Sequence, residues 1–508
     1  MFSDTLKKLS IPLYVFITGA CVLIIEIAAI RVLSPYYGNT IFAVSAVISV
    51  VLLALSIGYY YGGKFADQRP EESIFFKIIA TSGFAVIFLH LAGIVFLSNF
   101  GYQLSIMDGP VISALLLFFG QSFLLGMLSP FAIKLQQKRF PETGIGQVSG
   151  QVFFWSTLGS IAGSLSAGFL LIPHFGVDTI ILGTGFLLVI LGLFGNFSIK
   201  PAQKFLLITV LVIASFFFVS GFSLQIENAV YQKDGLYQRI TIFDGEYNGA
   251  PARFLLQDKN TSAAKFLQSD ELVFEYTKYY KLYEIFTPNP AQVLAIGAGA
   301  YSIPQALLND LPNATIEVAE IEPGLFDLSK KYFGIQDNPR LHNITKDGRR
   351  MLHDSQKKYD FIFSDAYASL YSTPQHLTTQ EFFTLAKEKM SENGLFVANV
   401  IGSIEPKPHS FALSEMKTFK SVFENSYFFA TRSPNSPETQ NLIFVGYNSD
   451  KIIDFNAPSI KNSQNPIISG LQEKLIDVNA IDFSQQYLLT DNFSPVDYLI
   501  SKEFDTLN

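Results

Sequence analysis

Cysteine is nearly missing from this chain: Cys21 is the single one in 508 residues. One cysteine excludes an intrachain disulfide and any cysteine-based zinc site. The 6 histidines are scattered without metal-ligand spacing, so no metal centre is expected. Charge is sparse too, at 16% of residues, and basic groups (36) are outnumbered by acidic ones (43). The net charge of -7 comes mostly from the second half and leaves no basic face for nucleic acid. What the chain has in excess is apolar surface. Hydrophobic residues make up 49%, Phe alone occurs 49 times, and mean hydropathy is +0.30. The length exceeds what one domain needs, and almost all the apolar excess lies before Phe222.

The start, MFSDTLKKLS, leads into an apolar run that continues well past 20 residues and is followed by others. A signal peptide is shorter and precedes a soluble chain, so a retained membrane helix is expected. Seven segments have the length and apolarity to span a bilayer, near 11–33, 40–61, 74–98, 111–135, 148–172, 177–197 and 204–223. The fifth carries Ser156, Ser160 and Ser164 with Gly159 and Gly163 beside them, small residues that let helix backbones approach. Glu26 and Arg31 fall inside the first span, where charge is costly. They read either as an interhelical ion pair or as part of a substrate path. His90 reads as a packed polar residue. Lys7/Lys8, Lys64/Arg69, Lys134/Lys138/Arg139 and Lys200/Lys204 fall on alternate loops, which the positive-inside rule makes cytoplasmic.

After Phe222 the texture changes. Residues 226–260 alternate polar and apolar with Asp-Gly and Asn-Gly turns, as a small antiparallel sheet would. Residues 270–286 have helical period. From Gln292 strands are expected at 292–297, 315–320, 341–345, 359–364 and 394–400, with helices at 303–310, 323–333, 348–355 and 378–390. VLAIG, TIEVAEI and YDFIFSD lack polar alternation along most of their length, which suits a parallel sheet covered on both faces. SYFFATR and NLIFVGY suit a terminal antiparallel hairpin. The expected fold is a multi-pass α-helical membrane domain plus α/β, a Rossmann sheet preceded by a small antiparallel β subdomain. The expected domains are 1–223 for the membrane part and 224–290 for the β subdomain with its connecting helix. Residues 291–450 form the nucleoside-binding part, and 451–508 an irregular tail.

Polar residues concentrate at the carboxyl ends of these strands, where open α/β sheets bind ligands. The first βα turn holds Gly297 and Gly299, which permit a tight turn and close approach of a ligand. The next strand ends in Glu320-Ile321-Glu322; an acidic group about 20 residues past the glycines is placed for ribose hydroxyls. The third leads to Asp347-Gly348, where a carboxylate can accept from an adenine amino group or simply cap the next helix. The fourth ends at Ser364-Asp365-Ala366-Tyr367. Together these mark a nucleoside site, and the ribose carboxylate alone does not separate NAD from S-adenosyl ligands.

The stretch VLAIGAGAYSIP…VAEIEP…TKDGRRML…YDFIFSDAYASLYSTPQHLTTQEFF resembles the spermidine synthase family. YQRITIF, LLQD and DELVFEYT resemble that family's N-terminal sheet and entrance segment. GACVLIIEIAAIRVLSPYYG and GYYYGGKFADQRP resemble its membrane-fused bacterial branch, so the likeness covers roughly residues 15–70 and 230–445. The resemblance implies a class I S-adenosylmethionine-type domain in the inner membrane. Decarboxylated S-adenosylmethionine would be a co-substrate, with no tightly bound cofactor and a polyamine acceptor. Family members often pair as dimers, which implies a homodimer. Carried over by position, Glu320 would bind ribose, Asp347 and Gly348 the adenine side, and Asp365 would be the base. Tyr237, Gln238, Asp258, Glu275 and Tyr367 would face the amine.

Three positions depart from the family. Its glycine loop reads GGGDGG, with Ala300 here in place of the aspartate; Ala368 replaces a second carboxylate; and Phe274-Glu275 stands for an entrance Tyr-Gln pair. Two other readings stay open. One is a methyltransferase or related enzyme on a membrane-associated substrate. The other is a transporter with a nucleoside-sensing domain, suggested by the Glu26–Arg31 pair and the GYYYGGKFAD loop. Seven spans would put the C-terminal domain outside, whereas S-adenosyl compounds are made inside. Either one segment does not span or the domain faces outward.

Overall fold

Apolar periodicity over the first half of the chain produces long helices, and the computed structural model describes residues 2–195, 200–222, 228–258, 260–367 and 373–504. The chain divides into two units, Met1–Gln225 and Ile226–Asn508.

In the first unit, 6 helices among the described residues are long and apolar enough to cross a membrane: Ser10–Tyr37, Ile41–Gln68, Glu72–Phe100, Gly109–Arg139, Ile145–His174 and Val177–Gly195. They cover the first six expected spans. The seventh expected span, 204–223, falls on helix Pro201–Phe222, and part of it lies outside the described residues. Small residues set the closest contacts. A Cβ on Gly159 would overlap the carbonyl oxygen of Phe16, and one on Gly163 that of Ala20. Ser160 Oγ donates to the Gly19 carbonyl at 3.2 Å. The first and fifth spans thus meet backbone to backbone, as the serine–glycine stripe suggested. His90, which is buried, lies 3.0 Å from Asp178 Oδ1 at the start of the sixth span, so it is a packed polar residue with a partner.

In the second unit, β1 (Ala229–Asp234), β2 (Arg239–Tyr247), β3 (Ala250–Gln257) and β4 (Asn260–Phe266) form an antiparallel sheet in chain order. Asn248 and Gly249 both have positive φ (51° and 79°), the geometry of a two-residue turn that matches strand twist. The helix expected over 270–286 is instead a 3-10 segment, Glu275–Leu282, and one short turn, Tyr283–Phe286. Its buried Tyr279, Tyr280, Leu282 and Tyr283 belong to the core of the next sheet, and packing overrides the helical period.

That sheet contains β5 (Gln292–Ile296), β6 (Thr315–Glu320), β7 (Leu341–Thr345), β8 (Tyr359–Ser364), β9 (Met390–Gly402), β10 (Ser426–Ala430) and β11 (Gln440–Tyr447). The order is β10-β11-β9-β8-β5-β6-β7, with β5–β9 parallel and β10 and β11 antiparallel. Its central strands are buried along nearly their whole length, which explains their uninterrupted apolar sequence. The strand order reverses between β5 and β8, the switch point at which such sheets open a crevice. Residues beyond 450 are less irregular than expected. Short helices run Pro458–Lys461, Pro466–Ser469, Leu471–Lys474 and Val496–Phe504, and Ile460, Ile467, Ile468 and Leu471 enter the sheet core. Each helix before Val496 is a single turn, too short to leave a periodic signal.

Gly159→Ala should destabilise the first unit by about 1–3 kcal/mol through overpacking. Gly150→Ala, where a Cβ meets nothing within 4 Å, should be neutral or slightly stabilising. Thermal unfolding of the two variants in detergent would check this, and equal melting temperatures would contradict the backbone contact.

Candidate active site

The site is built around the carboxyl end of β5. The chain leaves that strand through Gly297 (φ 80°) and Gly299 (φ 51°) and reaches Tyr301, a non-glycine residue also held at φ 60°. A Cβ on Gly297 would overlap the carbonyl oxygen of Asp365, so only hydrogen fits between the ends of β5 and β8. Asp365 N donates to the Ile296 carbonyl at 2.8 Å, closing the same junction. Tyr301 is fully buried and its hydroxyl bonds Asn343 on β7, which holds the turn in its left-handed conformation. Gly348 opens the helix after β7, and a Cβ there would overlap the Ile296 side chain.

Glu320 is 6% exposed at the end of β6. One carboxylate oxygen accepts from Ala298 N at 3.0 Å and the other from Glu322 N at 2.8 Å. Burial raises its pKa, and those backbone donors only partly offset the rise. Each oxygen keeps a lone pair for a further donor. Glu322, also buried, accepts from Leu236 N and Tyr237 N, both at 2.8 Å, and so ties the β1–β2 turn to the end of β6.

Asp347 caps the helix Gly348–Asp354, accepting from Arg350 N at 2.9 Å, while His376 Nε2 lies 2.7 Å from its other oxygen. Burial pulls its pKa up, but the hydrogen bonds from His376 and the backbone outweigh it and leave the group below the ordinary value. His376 thereby brings the segment after the loop that follows β8 onto this carboxylate.

Asp365 Oδ1 accepts from Asn399 Nδ2 at 2.8 Å, and Asn399 Oδ1 in turn accepts from Asn441 Nδ2 at 2.9 Å. Tyr276 donates a second hydrogen bond to Asp365. Burial raises the carboxyl pKa above the ordinary value despite these two bonds. The Tyr367 hydroxyl donates to the Asn399 carbonyl at 2.8 Å and accepts from Ile401 N at 2.9 Å, pinning the start of the loop after β8 to β9.

Sequence reasoning placed Gly297, Gly299, Glu320, Asp347, Gly348, Asp365 and Tyr367 at strand ends, and the fold brings these ends to one edge of the sheet. It missed Asn399 and Tyr276, which hold Asp365. A polar residue inside the apolar run LFVANVIG was the available signal for Asn399. Glu275 points to solvent and pairs with Lys278 at 3.6 Å; its neighbour Tyr276 is the residue that reaches Asp365. Asp258 is turned to the β2–β3 pair: at φ 56°, it accepts from Arg239 N at 2.9 Å. Tyr237 is 41% exposed and Gln238 is buried. Ala300 packs into an apolar cluster with Ile240, Ile242, Leu255, Ala263, Leu325 and Phe333, where the family has an aspartate. Ala368 and Tyr371 lie outside the described residues. Among the described residues no cluster of three His, Cys, Asp or Glu side chains could hold a metal.

Residues 262–456 match the spermine/spermidine synthase domain. The polyamine aminopropyltransferase of Vibrio vulnificus is 26% identical over 290 residues, 55% of this chain and 94% of that protein. Polyamine aminopropyltransferase 2 of Aquifex aeolicus is 21% identical over 413 residues, 76% of this chain and 78% of its own. That alignment is longer than the whole second unit, Ile226–Asn508, and so extends into the helical unit. Among solved structures, a probable spermidine synthase from Corynebacterium glutamicum is 21% identical over 52% of this chain and 97% of its own, with a TM-score of 0.43.

Fold and relatives define a Rossmann-type transferase of the aminopropyltransferase kind. A unit of six long apolar helices precedes it. Residues 262–456 are thus similar to the spermidine synthase family.

Gly297→Ala should weaken binding of an adenosyl nucleoside at least about tenfold, because the new methyl group pushes the β5 and β8 ends apart. Calorimetry with methylthioadenosine measures this; wild-type affinity in the variant would show that the junction does not shape the site.

Proposed function

We propose that this protein is a membrane-anchored aminopropyltransferase. It would move the aminopropyl group of decarboxylated S-adenosylmethionine to a diamine such as putrescine and release methylthioadenosine. The observation that carries the reading is Asp365, a buried carboxylate at the switch point, held only by neutral donors and with a raised pKa. A group of that kind accepts a proton more readily than an ordinary carboxylate. Relatives named polyamine aminopropyltransferases support the same direction.

In this reading Gly297 and Gly299 let the nucleoside approach the backbone, Glu320 takes the ribose hydroxyls, and Asp347 with Gly348 takes the adenine edge. The donor is a co-substrate, and no cofactor is tightly bound. The amine nitrogen attacks the methylene carbon beside the sulfonium, the carbon–sulfur bond breaks, and its electrons stay on sulfur as the neutral thioether leaves. Asp365 takes one proton from the substrate ammonium before the attack, and the new carbon–nitrogen bond leaves the product nitrogen as a secondary ammonium. A protonated amine has no lone pair, so orientation and deprotonation by Asp365 come first, and in-line positioning supplies much of the rest. Tyr237, Gln238 and Tyr367 lie toward the acceptor.

A second reading, methyl transfer from intact S-adenosylmethionine, draws on Ala300. With an apolar cluster where the family carries its tail-binding aspartate, donor-tail recognition differs here. Incubation with each donor and a panel of amines separates the two: methylthioadenosine release supports the first, S-adenosylhomocysteine the second. Asp365→Asn should abolish turnover while keeping nucleoside affinity; an active variant would remove Asp365 as the base.

The acid limb of kcat/KM should lie above the ordinary carboxylate range of about 4, because Asp365 must be ionised and its pKa is raised. Asn399→Leu removes a hydrogen bond to the ionised form and should move that limb to still higher pH. A pH–rate profile that does not move on this substitution would mean another group titrates.

We also place the protein in the inner membrane with its second unit in the cytoplasm. Six spans with basic residues on alternate loops return the chain to the cytoplasmic side at Lys200, and a cytoplasmic second unit requires that helix Pro201–Phe222 not cross. A reporter fused after Asn508 should be active only in its cytoplasmic form; an active periplasmic reporter would overturn the orientation.

A further inference from the structure

His376 lies beyond the loop that follows β8, in the 3-10 turn Gln375–Leu377. Its Nε2 stands 2.7 Å from Asp347 Oδ2. An ionised carboxylate can only accept, so the imidazole tautomer in place is the one that donates from Nε2. Neither side chain is buried: 49% of His376 and 29% of Asp347 remain exposed. A pair this open contributes little to stability. Nor is it needed to cap the next helix, because Asp347 does that with its other oxygen, which accepts from Arg350 N at 2.9 Å.

The imidazole is nevertheless fixed from its backbone side. Arg349 Nη1 donates to the His376 carbonyl at 3.2 Å, and the same guanidinium grips Asp491 through two bonds of 2.7 and 2.6 Å. Thr379 Oγ1 donates to Asp491 Oδ1 at 2.8 Å. A two-pronged arginine–carboxylate pair orients as well as attracts. Asp491, 142 positions from Arg349, thus anchors the turn that carries His376. The consequence falls on Asp347 Oδ2. His376 takes one lone pair of that oxygen and leaves one for a donor on a ligand. The bonds from His376 and from the backbone also hold the carboxyl pKa below its ordinary value, so the group is an anion with no proton to give. Such an oxygen accepts from an amino group and repels an oxo group in the same place.

We propose that His376 is a positioning residue for the choice of nucleobase. It holds Asp347 Oδ2 as an acceptor for an exocyclic amino group, so that the site takes an adenine nucleoside and rejects the hypoxanthine counterpart. The inference rests on the reading of Asp347 as the group that meets the adenine edge, and it adds the residue that enforces that contact.

The test compares methylthioadenosine with methylthioinosine by calorimetry on the full chain in detergent. The wild type should prefer the adenine compound about 10- to 100-fold, the worth of a hydrogen bond to a charged group. His376→Ala should erase most of that preference, chiefly by weakening the adenine compound. His376→Gln, whose amide nitrogen reaches about as far as Nε2, should restore part of it. The turn is half exposed, so both variants should fold. An equal loss for the two nucleosides in His376→Ala would make the residue a loop staple and overturn the inference, as would a wild type that binds both equally or neither. Methylthioadenosine release by an enzyme indifferent to the base would remove base selection alone. A preference that depends on His376, without such release from the decarboxylated donor, would instead remove the transfer reaction and leave base selection standing.

Discussion

A buried anion that is to meet a cationic ligand must be held in place by groups that do not neutralise it. That constraint organises the site. Asp365 is held by the amide of Asn399 and the phenol of Tyr276, and Glu320 by two backbone amides. Among the described residues no lysine or arginine contributes to the shift of either group. A basic partner would satisfy the carboxylate before the ligand arrived and would compete with a sulfonium or an ammonium for the same oxygens. Neutral donors fix geometry and leave the charge available. The cost is burial without a counterion, visible as pKa values above the ordinary range.

The backbone of the second unit is arranged to make this possible. At the β5–β8 switch point two strand ends come so close that only a glycine hydrogen separates them, which sets Asp365 beside the glycine turn that Glu320 holds from the other side. The strain of Tyr301 at positive φ is offset by its burial and its bond to Asn343, so the turn is anchored across β6 to β7. Glu322 continues the pattern outward by gathering the amides of Leu236 and Tyr237, which brings the antiparallel sheet to the same edge. The helical unit follows a different rule. There the closest contacts come from missing side chains, at Gly159, Gly163 and Gly192, because in a lipid environment packing, rather than burial from water, draws helices together.

The parallel strands were legible because a strand covered on both faces is largely apolar; TIEVAE and YDFIFS end at a polar residue and VLAIG at a glycine. The acids at those ends were legible for the same reason. Segment 270–286 was misread because its tyrosines repeat at helical spacing, yet each is captured by the sheet core. A 3-10 turn with Tyr276 directed at Asp365 satisfies more contacts than a regular helix would. Asp258 and Glu275 looked like acceptor groups as carboxylates near the family's entrance segment. Their side chains proved to serve a backbone amide and a surface ion pair, choices that depend on strand pairing and not on neighbours in sequence.

Periodicity and composition along the chain were enough to establish long apolar helices followed by a small antiparallel sheet and a Rossmann-type sheet, and to locate glycines and carboxylates at its strand tips. These are local properties, since a helix face or a covered strand imposes its pattern on adjacent residues. The partners of those carboxylates are another matter. Asn399 beside Asp365 and His376 on Asp347 join residues 34 and 29 positions apart, and only the folded sheet brings them within reach. Hydrogen bonds and burial set the charge state of each acid, and both are properties of the assembled three-dimensional surroundings.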